Sequence, residues 1–299
     1  MAEPAVVPRE DVRFDSGGER CAGWLYRPVE TSGDVPCVVL GPGFGAVKEA
    51  RLGVFAERFA AAGYAAVVFD YRHFGDSEGE PRQLVDIGRQ HADWRAAVAH
   101  VRGLDGVDGD RIALWGSSFS GGHVIVTAAG DDRVAAVISQ VPYTDGPATL
   151  RAAGIVDVAR LTVAGLRDRA GALLGRDPYL LPIVGPPGSL AAMTSPDAEP
   201  GYSALYPEGF PWRNQFSARV ALRVGTYSPA RKASRVRCPL LVQLATEDAI
   251  TPPAGARKTA GRAPRGELRE YRAGHFDVYV GDLFERVIAD QIEFLGRHL

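Results

Sequence analysis

The sequence predicts an α/β fold built on a mostly parallel sheet, and three observations carry that reading. Short apolar runs recur at 37–40 (CVVL), 65–69 (AAVVF), 112–115 (IALW), 134–138 (VAAVI) and 240–245 (LLVQLA). They are nearly continuous rather than alternating, as strands buried on both faces must be. Amphipathic stretches separate them, one through Val54, Phe55, Phe59 and Ala62, another through Ala92, Ala96, Val98, Ala99 and Val101. Strand alternating with helix is the pattern of a parallel sheet with crossover helices. The first 35 residues differ: VRFDS (12–16) and CAGWLYRP (21–28) flank Gly17-Gly18 and read as an antiparallel hairpin at the sheet edge.

Between about 146 and 235 the rhythm breaks. One long helical pattern runs through Leu150, Ile155, Val158, Leu161, Leu166, Ala170 and Leu173. A Pro/Gly-rich stretch follows from Pro178 to Pro211, then a shorter helical pattern with Phe216, Val220 and Val224. This divides the chain into a core of 1–145 and 236–299 and a lid or cap insertion of 146–235, since a loop-rich insertion of that length is usually functional.

Composition excludes several classes. The 299 residues carry 34 basic and 36 acidic side chains, a net charge of −2, which lacks the standing positive field of a nucleic-acid binder or polybasic membrane protein. Cys21, Cys37 and Cys238 are odd in number, widely spaced and without metal-ligand rhythm, so neither a disulfide framework nor a metal site is expected. The amino terminus lacks a basic segment followed by an apolar stretch, and no run is long enough to span a bilayer, so a cytoplasmic protein is expected.

The strongest chemical signal is the turn Gly116-Ser-Ser118-Phe-Ser120-Gly-Gly122, which follows a buried strand and precedes a helix. That context fits a G-x-S-x-G nucleophile elbow with Ser118 at its apex, where small neighbours let strand and helix approach a strained serine. A serine hydroxyl needs a base. Of six histidines, His275 is the best placed, in a loop after the strand-like ELREY and before the C-terminal helical pattern. For the acid, Asp248 lies just past the strand at 240–245; Glu247 beside it and Asp145 after the preceding strand compete, whereas Asp277 reads as a solvated loop carboxylate. The segment Gly41-Pro-Gly-Phe44-Gly45 follows the first parallel strand, where the amides of Phe44 and Phe119 would form an oxyanion hole. It lacks the ending of a phosphate-binding loop, and no cofactor fingerprint is present.

These residues, in the order Ser118, Asp248, His275, make the chain resemble the α/β-hydrolase superfamily. Phe69-Asp-Tyr-Arg-His73-Phe-Gly-Asp-Ser-Glu-Gly79 is similar to that superfamily's D-x-R-G-x-G-x-S turn. The resemblance covers about residues 12–145 and 236–299. It departs at Pro42, where histidine is usual, and at His73 and Ser120, where glycine is usual. These departures set the chain nearer the branch with dienelactone hydrolases, acetyl-xylan esterases and X-Pro peptidases. It also looks like hydrolases of actinobacterial natural-product pathways, some of which act on polyketide intermediates. The resemblance implies a mostly parallel twisted sheet of about eight strands with helices on both faces and a helical lid. It also implies hydrolysis of a small-molecule ester or thioester through an acyl-Ser118 intermediate. A lyase or acyltransferase using the same residues is the alternative enzyme, and a non-catalytic ligand-binding module the alternative outside enzymes. Leu161, Leu166, Leu173, Phe210, Trp212 and Phe216 make the insertion apolar, either to meet an acyl or aromatic substrate or to bury the insertion on the core. A homodimer is a possibility by base rate.

Overall fold

The computed structural model describes residues 7–29 and 33–299; the first six residues of the amino-terminal reading lie outside them. The chain opens with β1 (Arg9–Ser16) and β2 (Glu19–Tyr26), the expected antiparallel hairpin, with Gly17 and Gly18 both at positive φ as a tight primed turn requires. Then come β3 (Val35–Gly41), α1 (Leu52–Ala61), β4 (Ala65–Phe69), α2 (Ile87–Val101), β5 (Val107–Ser117), α3 (Phe119–Ala128) and β6 (Ala136–Gln140). After the insertion the chain resumes with a strand at Leu240–Ala245, a helix at Pro253–Arg262, a strand at Gly266–Tyr271 and a helix at Gly281–His298.

The insertion contributes α4 (Gly146–Ala153), α5 (Ile155–Leu173), β7 (Leu180–Leu181), α6 (Ala198–Ser203), β8 (Phe216–Ser217) and α7 (Ala221–Val224), so the resuming elements are β9, α8, β10 and α9. The single long helix expected here is two helices. Gly154 stands at φ +82° and breaks it, a conformation that other residues reach only at a cost.

Eight strands form one sheet in the order β1-β2-β4-β3-β5-β6-β9-β10, parallel throughout except for the hairpin and its pairing to β4. β7 and β8 make a separate two-stranded ribbon. From β3 the chain first crosses to β4 and then returns past β3 to β5, so right-handed crossovers put α1 and α2 on opposite faces. α1 packs beside α9, and α2 beside α3. β6 begins two residues later than the apolar run suggested, extending to Ser139 and Gln140 at its carboxyl end.

The core fills both faces with side chains such as Leu40, Phe55, Val67, Leu114, Trp115 and Leu295, all without solvent exposure. A polar seam runs through it. Gln291 of α9 accepts from Trp115 Nε1 (3.0 Å) and donates to the side-chain oxygens of Gln140 (2.8 Å) and Gln243 (2.6 Å), tying β5, β6 and β9 to one helix. Because such groups are costly to leave unpaired, this seam fixes the register beneath the strand ends. No described helix is long and apolar enough to cross a membrane.

Candidate active site

The chain reverses its winding direction between β3 and β5, and in open α/β sheets the crevice at the carboxyl ends there receives ligands. Ser118 sits in that crevice. It directly follows β5 with φ 56° and ψ −119°, a conformation that a non-glycine residue holds only under constraint from its surroundings. The neighbouring glycines are dictated by space: a Cβ on Gly116 would lie 2.4 Å from the Ser120 carbonyl oxygen, and one on Gly122 2.3 Å from that of Tyr143. Ser120, standing where glycine is usual, is buried within reach of Tyr71, their oxygens 3.1 Å apart, and Tyr71 in turn accepts from Trp94 Nε1 (2.8 Å). That departure is therefore absorbed by a hydrogen-bonded chain.

The three separated residues meet. His275 Nε2 lies 3.1 Å from Ser118 Oγ, and its Nδ1 lies 2.7 Å from Asp248 Oδ2. Asp248 follows β9 and His275 follows β10, so adjacent parallel strands deliver both side chains to the same edge. Asp248 is further held by Thr251, whose hydroxyl donates to Oδ2 (2.8 Å), and by the amides of Ile250 (2.8 Å) and Thr251 (2.7 Å), which donate to Oδ1. Burial pushes its carboxyl up, but the pairing with His275 and these hydrogen bonds outweigh it and hold the group below the usual carboxylate range. An ionised, fully bonded carboxylate fixes which imidazole nitrogen faces the serine.

The competing acids are elsewhere. Asp145 caps α4, accepting from the Ala148 amide (3.2 Å), and Glu247 turns outward to the exposed Arg272. Asp277 accepts from the Gly274 amide (2.8 Å) in the loop that carries His275. His123 is fully buried behind the elbow, bonded to Gln90 and Tyr227, and burial holds its ring well below its ordinary pKa.

The Gly41–Gly45 loop lies against Ser118: a Cβ on Gly43 would come within 3.4 Å of Ser118 Cβ. Phe44 packs edge-on to Phe119, ring centroids 5.4 Å apart. As the first residue of α3, Phe119 has an N–H with no intrahelical acceptor, and it adds the positive end of a helix.

Sequence reasoning missed what holds this loop. Lys48 is 1% exposed; its Nζ reaches Asp70 (2.8 Å), Asp76 (2.6 Å) and Glu49 (3.0 Å), while its amide donates to Asp70 Oδ1 (2.7 Å). The three carboxylates outweigh burial and keep the ammonium charged. Asp70 belongs to the D-x-R-like turn, so that motif fastens the loop bearing Phe44. From the other side Tyr202 of α6 donates to the Phe44 carbonyl (3.0 Å). A lysine three residues after a glycine turn carries no signal in sequence that it will be buried.

Beside Ser118 a cavity encloses about 420 Å³ of empty space, part of it open to solvent. Ala46, Ala50, Leu52, Trp115, Leu205 and Phe276 make most of its wall apolar; Ser117 and Tyr279, their hydroxyls 2.5 Å apart, supply a polar patch. The insertion contributes Met193, Tyr202 and Leu205. None of the six apolar insertion residues singled out from sequence lines it: Phe216 is buried against Phe44, Leu161, Phe210 and Trp212 pack on the core, and Leu166 and Leu173 face solvent.

This arrangement agrees with the comparisons. The family model of X-Pro dipeptidyl-peptidase (S15 family) matches residues 17–181. The chain belongs to that family, within the α/β-hydrolases. It is 46% identical to the quorum-quenching protein AidA of Acinetobacter baumannii, over 96% of this chain and 94% of that one. The polyketide transferase grgF of Penicillium sp is 32% identical over 99% of this chain and 98% of its own. The crystal structure of this α/β hydrolase superposes with a TM-score of 0.84, at 28% identity, covering 98% and 99% of the two chains. The thiohydrolase aneE of Aspergillus aculeatus is 30% identical over 93% of this chain and 89% of its own. The fold class expected from sequence is the one found, and the chain is an enzyme of the hydrolase type.

Proposed function

We propose that this family member cleaves a thioester or ester of a compact, largely apolar acyl group through an acyl-Ser118 intermediate. The observation that carries the reading is the continuous line from Asp248 Oδ2 through His275 to Ser118 Oγ, opening on a largely apolar cavity. His275 takes the Ser118 proton as Oγ attacks the acyl carbonyl. The amides of Phe44 and Phe119 receive the developing oxyanion, and Asp248 stabilises the imidazolium. Collapse expels the thiol or alcohol, protonated by His275. Water, activated by the same ring, then releases the acid.

Residues 146–235 act as a lid in this reading, supported by the grip of Tyr202 on the Phe44 carbonyl and by the cavity walls it supplies. Free Cys21, Cys37 and Cys238 support a reducing, cytoplasmic setting. The family's peptidase name is not the favoured activity: apart from His275 the described residues lining the cavity are neutral, leaving a substrate ammonium without a carboxylate. Acyl transfer is the second reading, favoured by the relative named a polyketide transferase. In it an acceptor other than water takes the acyl group from Ser118.

The test is a small fluorophosphonate applied to the protein and to Ser118→Ala, read by intact mass and peptide mapping. One adduct on Ser118, absent from the variant, is expected. A folded protein that stays unlabelled while hydrolysing no ester or thioester overturns the reading. Turnover in ¹⁸O-water then separates the two reactions, since hydrolysis places solvent oxygen in the released acid and transfer does not.

A further inference from the structure

Six of the eight large apolar side chains standing exposed among the described residues fall on α5 and the residue after it. Ile155, Val156, Val163, Leu166, Leu173 and Leu174 are 56–87% exposed. Apart from the half-buried Val158 and Leu161, the opposite face of the same helix is small and polar. Gly165 packs on Leu222, and buried Asp168 binds Arg219 (2.8 Å) and the Tyr179 amide (2.9 Å). A surface helix ordinarily turns its apolar stripe inward, so α5 is amphipathic the wrong way round for a monomer.

The pattern of the stripe identifies what covers it. Val156, Ala159, Val163, Leu166, Ala170 and Leu173 follow a 3-4-3-4-3 spacing, the rhythm of a helix–helix seam, and all six are exposed. Their order is also symmetric about the point between Ala164 and Gly165. An antiparallel copy of α5 crossing there sets Val156 against Leu173, Ala159 against Ala170 and Val163 against Leu166, with Ile155 meeting Leu174 at each end. Large meets large and alanine meets alanine in every layer, which is the self-complementarity a two-fold contact demands. An acidic partner or anionic surface would need free flanking cations. Arg160 is instead engaged by Asp157 and the Gly188 carbonyl (3.0 Å), and Arg167 lies over the Tyr179 ring (4.0 Å), which leaves Arg169 as the single exposed cation of α5 without such a contact, too few for an anionic partner. Burying the six large side chains of both copies removes on the order of 1,200 Å² of surface, the lower edge of a stable interface.

We infer that the chain is a homodimer joined through an antiparallel α5–α5 crossing. Sedimentation velocity on the full chain at up to about 100 µM tests it, since mass action drives an interface of this size together there. The expected mass is twice the 31.9 kDa of one chain. Val163→Glu/Leu166→Glu, which puts four carboxylates at the crossing point, is expected to sediment as a monomer with unchanged circular dichroism and unchanged turnover of a small ester. Geometry is tested by oxidation. Val156→Cys/Leu173→Cys is expected to form a covalent dimer, whereas Val156→Cys alone and the wild type, with its half-buried Cys238, do not. A wild-type monomer at the highest concentration, a dimer that survives the glutamate pair, or cross-linking through the single cysteine each overturns the inference.

Discussion

The Ser118 turn and helix α5 dispose of their side chains in opposite ways. Around Ser118 large apolar groups are inside, and the buried polar ones have partners: Asp248 accepts four hydrogen bonds, and Ser120 leans on Tyr71 and Trp94. Along α5 the large apolar groups are outside, and a charged pair, Asp168 with Arg219, anchors the inner face. Apolar periodicity thus reports which residues share a face and leaves open what that face meets. In the core the strand connections decide the matter; in the insertion no sheet imposes a direction.

The largest effects are expected at the turn. Ser118→Ala should lower kcat for a small activated ester by about 10⁶, and Asp248→Asn by about 10⁴, as for groups that act as a unit. Asp145→Ala, which removes a helix cap and a long, half-exposed contact to Lys258 (3.9 Å), should leave kcat within a few-fold and cost about 1 kcal/mol of stability. Steady-state kinetics on the three variants decides between the acids, and comparable losses at Asp145 and Asp248 would undo the assignment.

Next comes the fastening of the Gly41–Gly45 loop. Lys48→Met leaves Asp70, itself without solvent exposure, buried without its counter-ion, and should cost about 3–5 kcal/mol in urea unfolding. Adding Asp70→Asn should recover much of that loss, because the penalty belongs to the unpaired charge. Additive losses in the double variant would mean that the two side chains are not coupled.

How much of this was legible in sequence follows from the range of the interactions. The parallel strands, the elbow and the order Ser118, Asp248, His275 are local patterns, each set by what one strand end and its turn must do. Lys48 and Tyr202 are invisible to such reading, because their roles come from partners 22 and 158 positions away: Asp70 and Phe44. The orientation of α5 was equally hidden. Leu166 and Leu173 have the same spacing whether they bury a lid or face outward, and the deciding residue, Asp168, looks like any surface carboxylate until Arg219 folds over it. The His73 substitution was read only as a departure. It stands at φ +75°, which explains why a glycine is usual there.

Acid separates the regions further. Burial holds His123 neutral and pushes His91 down to about 4, whereas both rings bind protons near pH 6.5 once unfolded. The unfolded state then carries more protons, so stability rises with pH across that window and is lost as pH falls from about 6.5 towards 4. Each such histidine removes up to about 1.4 kcal/mol per pH unit. The lowered carboxyl of Asp248 acts in the same direction only below the usual carboxylate range. Denaturant unfolding of His91→Gln/His123→Gln at several pH values should show a flatter slope than wild type from pH 6.5 to 4.5. An unchanged slope would move the acid sensitivity away from the helix behind the elbow.

The smallest expected effect is also the most direct check on the opening contrast. Leu40 of β3 and Leu166 of α5 are the same residue in regular structure, one with no exposure and the other 56% exposed. Leu40→Ala removes three buried carbons and leaves a cavity, so it should cost about 2–5 kcal/mol. Leu166→Ala, measured by unfolding at concentrations low enough to keep the chain monomeric, should change stability by less than about 0.5 kcal/mol. Raising the concentration should then open a gap between wild type and Leu166→Ala, because association stabilises only the folded chain that presents the intact stripe. Leu40→Ala should show no such dependence beyond that of the wild type. A large loss for Leu166→Ala at high dilution would mean that α5 folds its stripe back onto its own chain, and the contrast between the two regions would be gone.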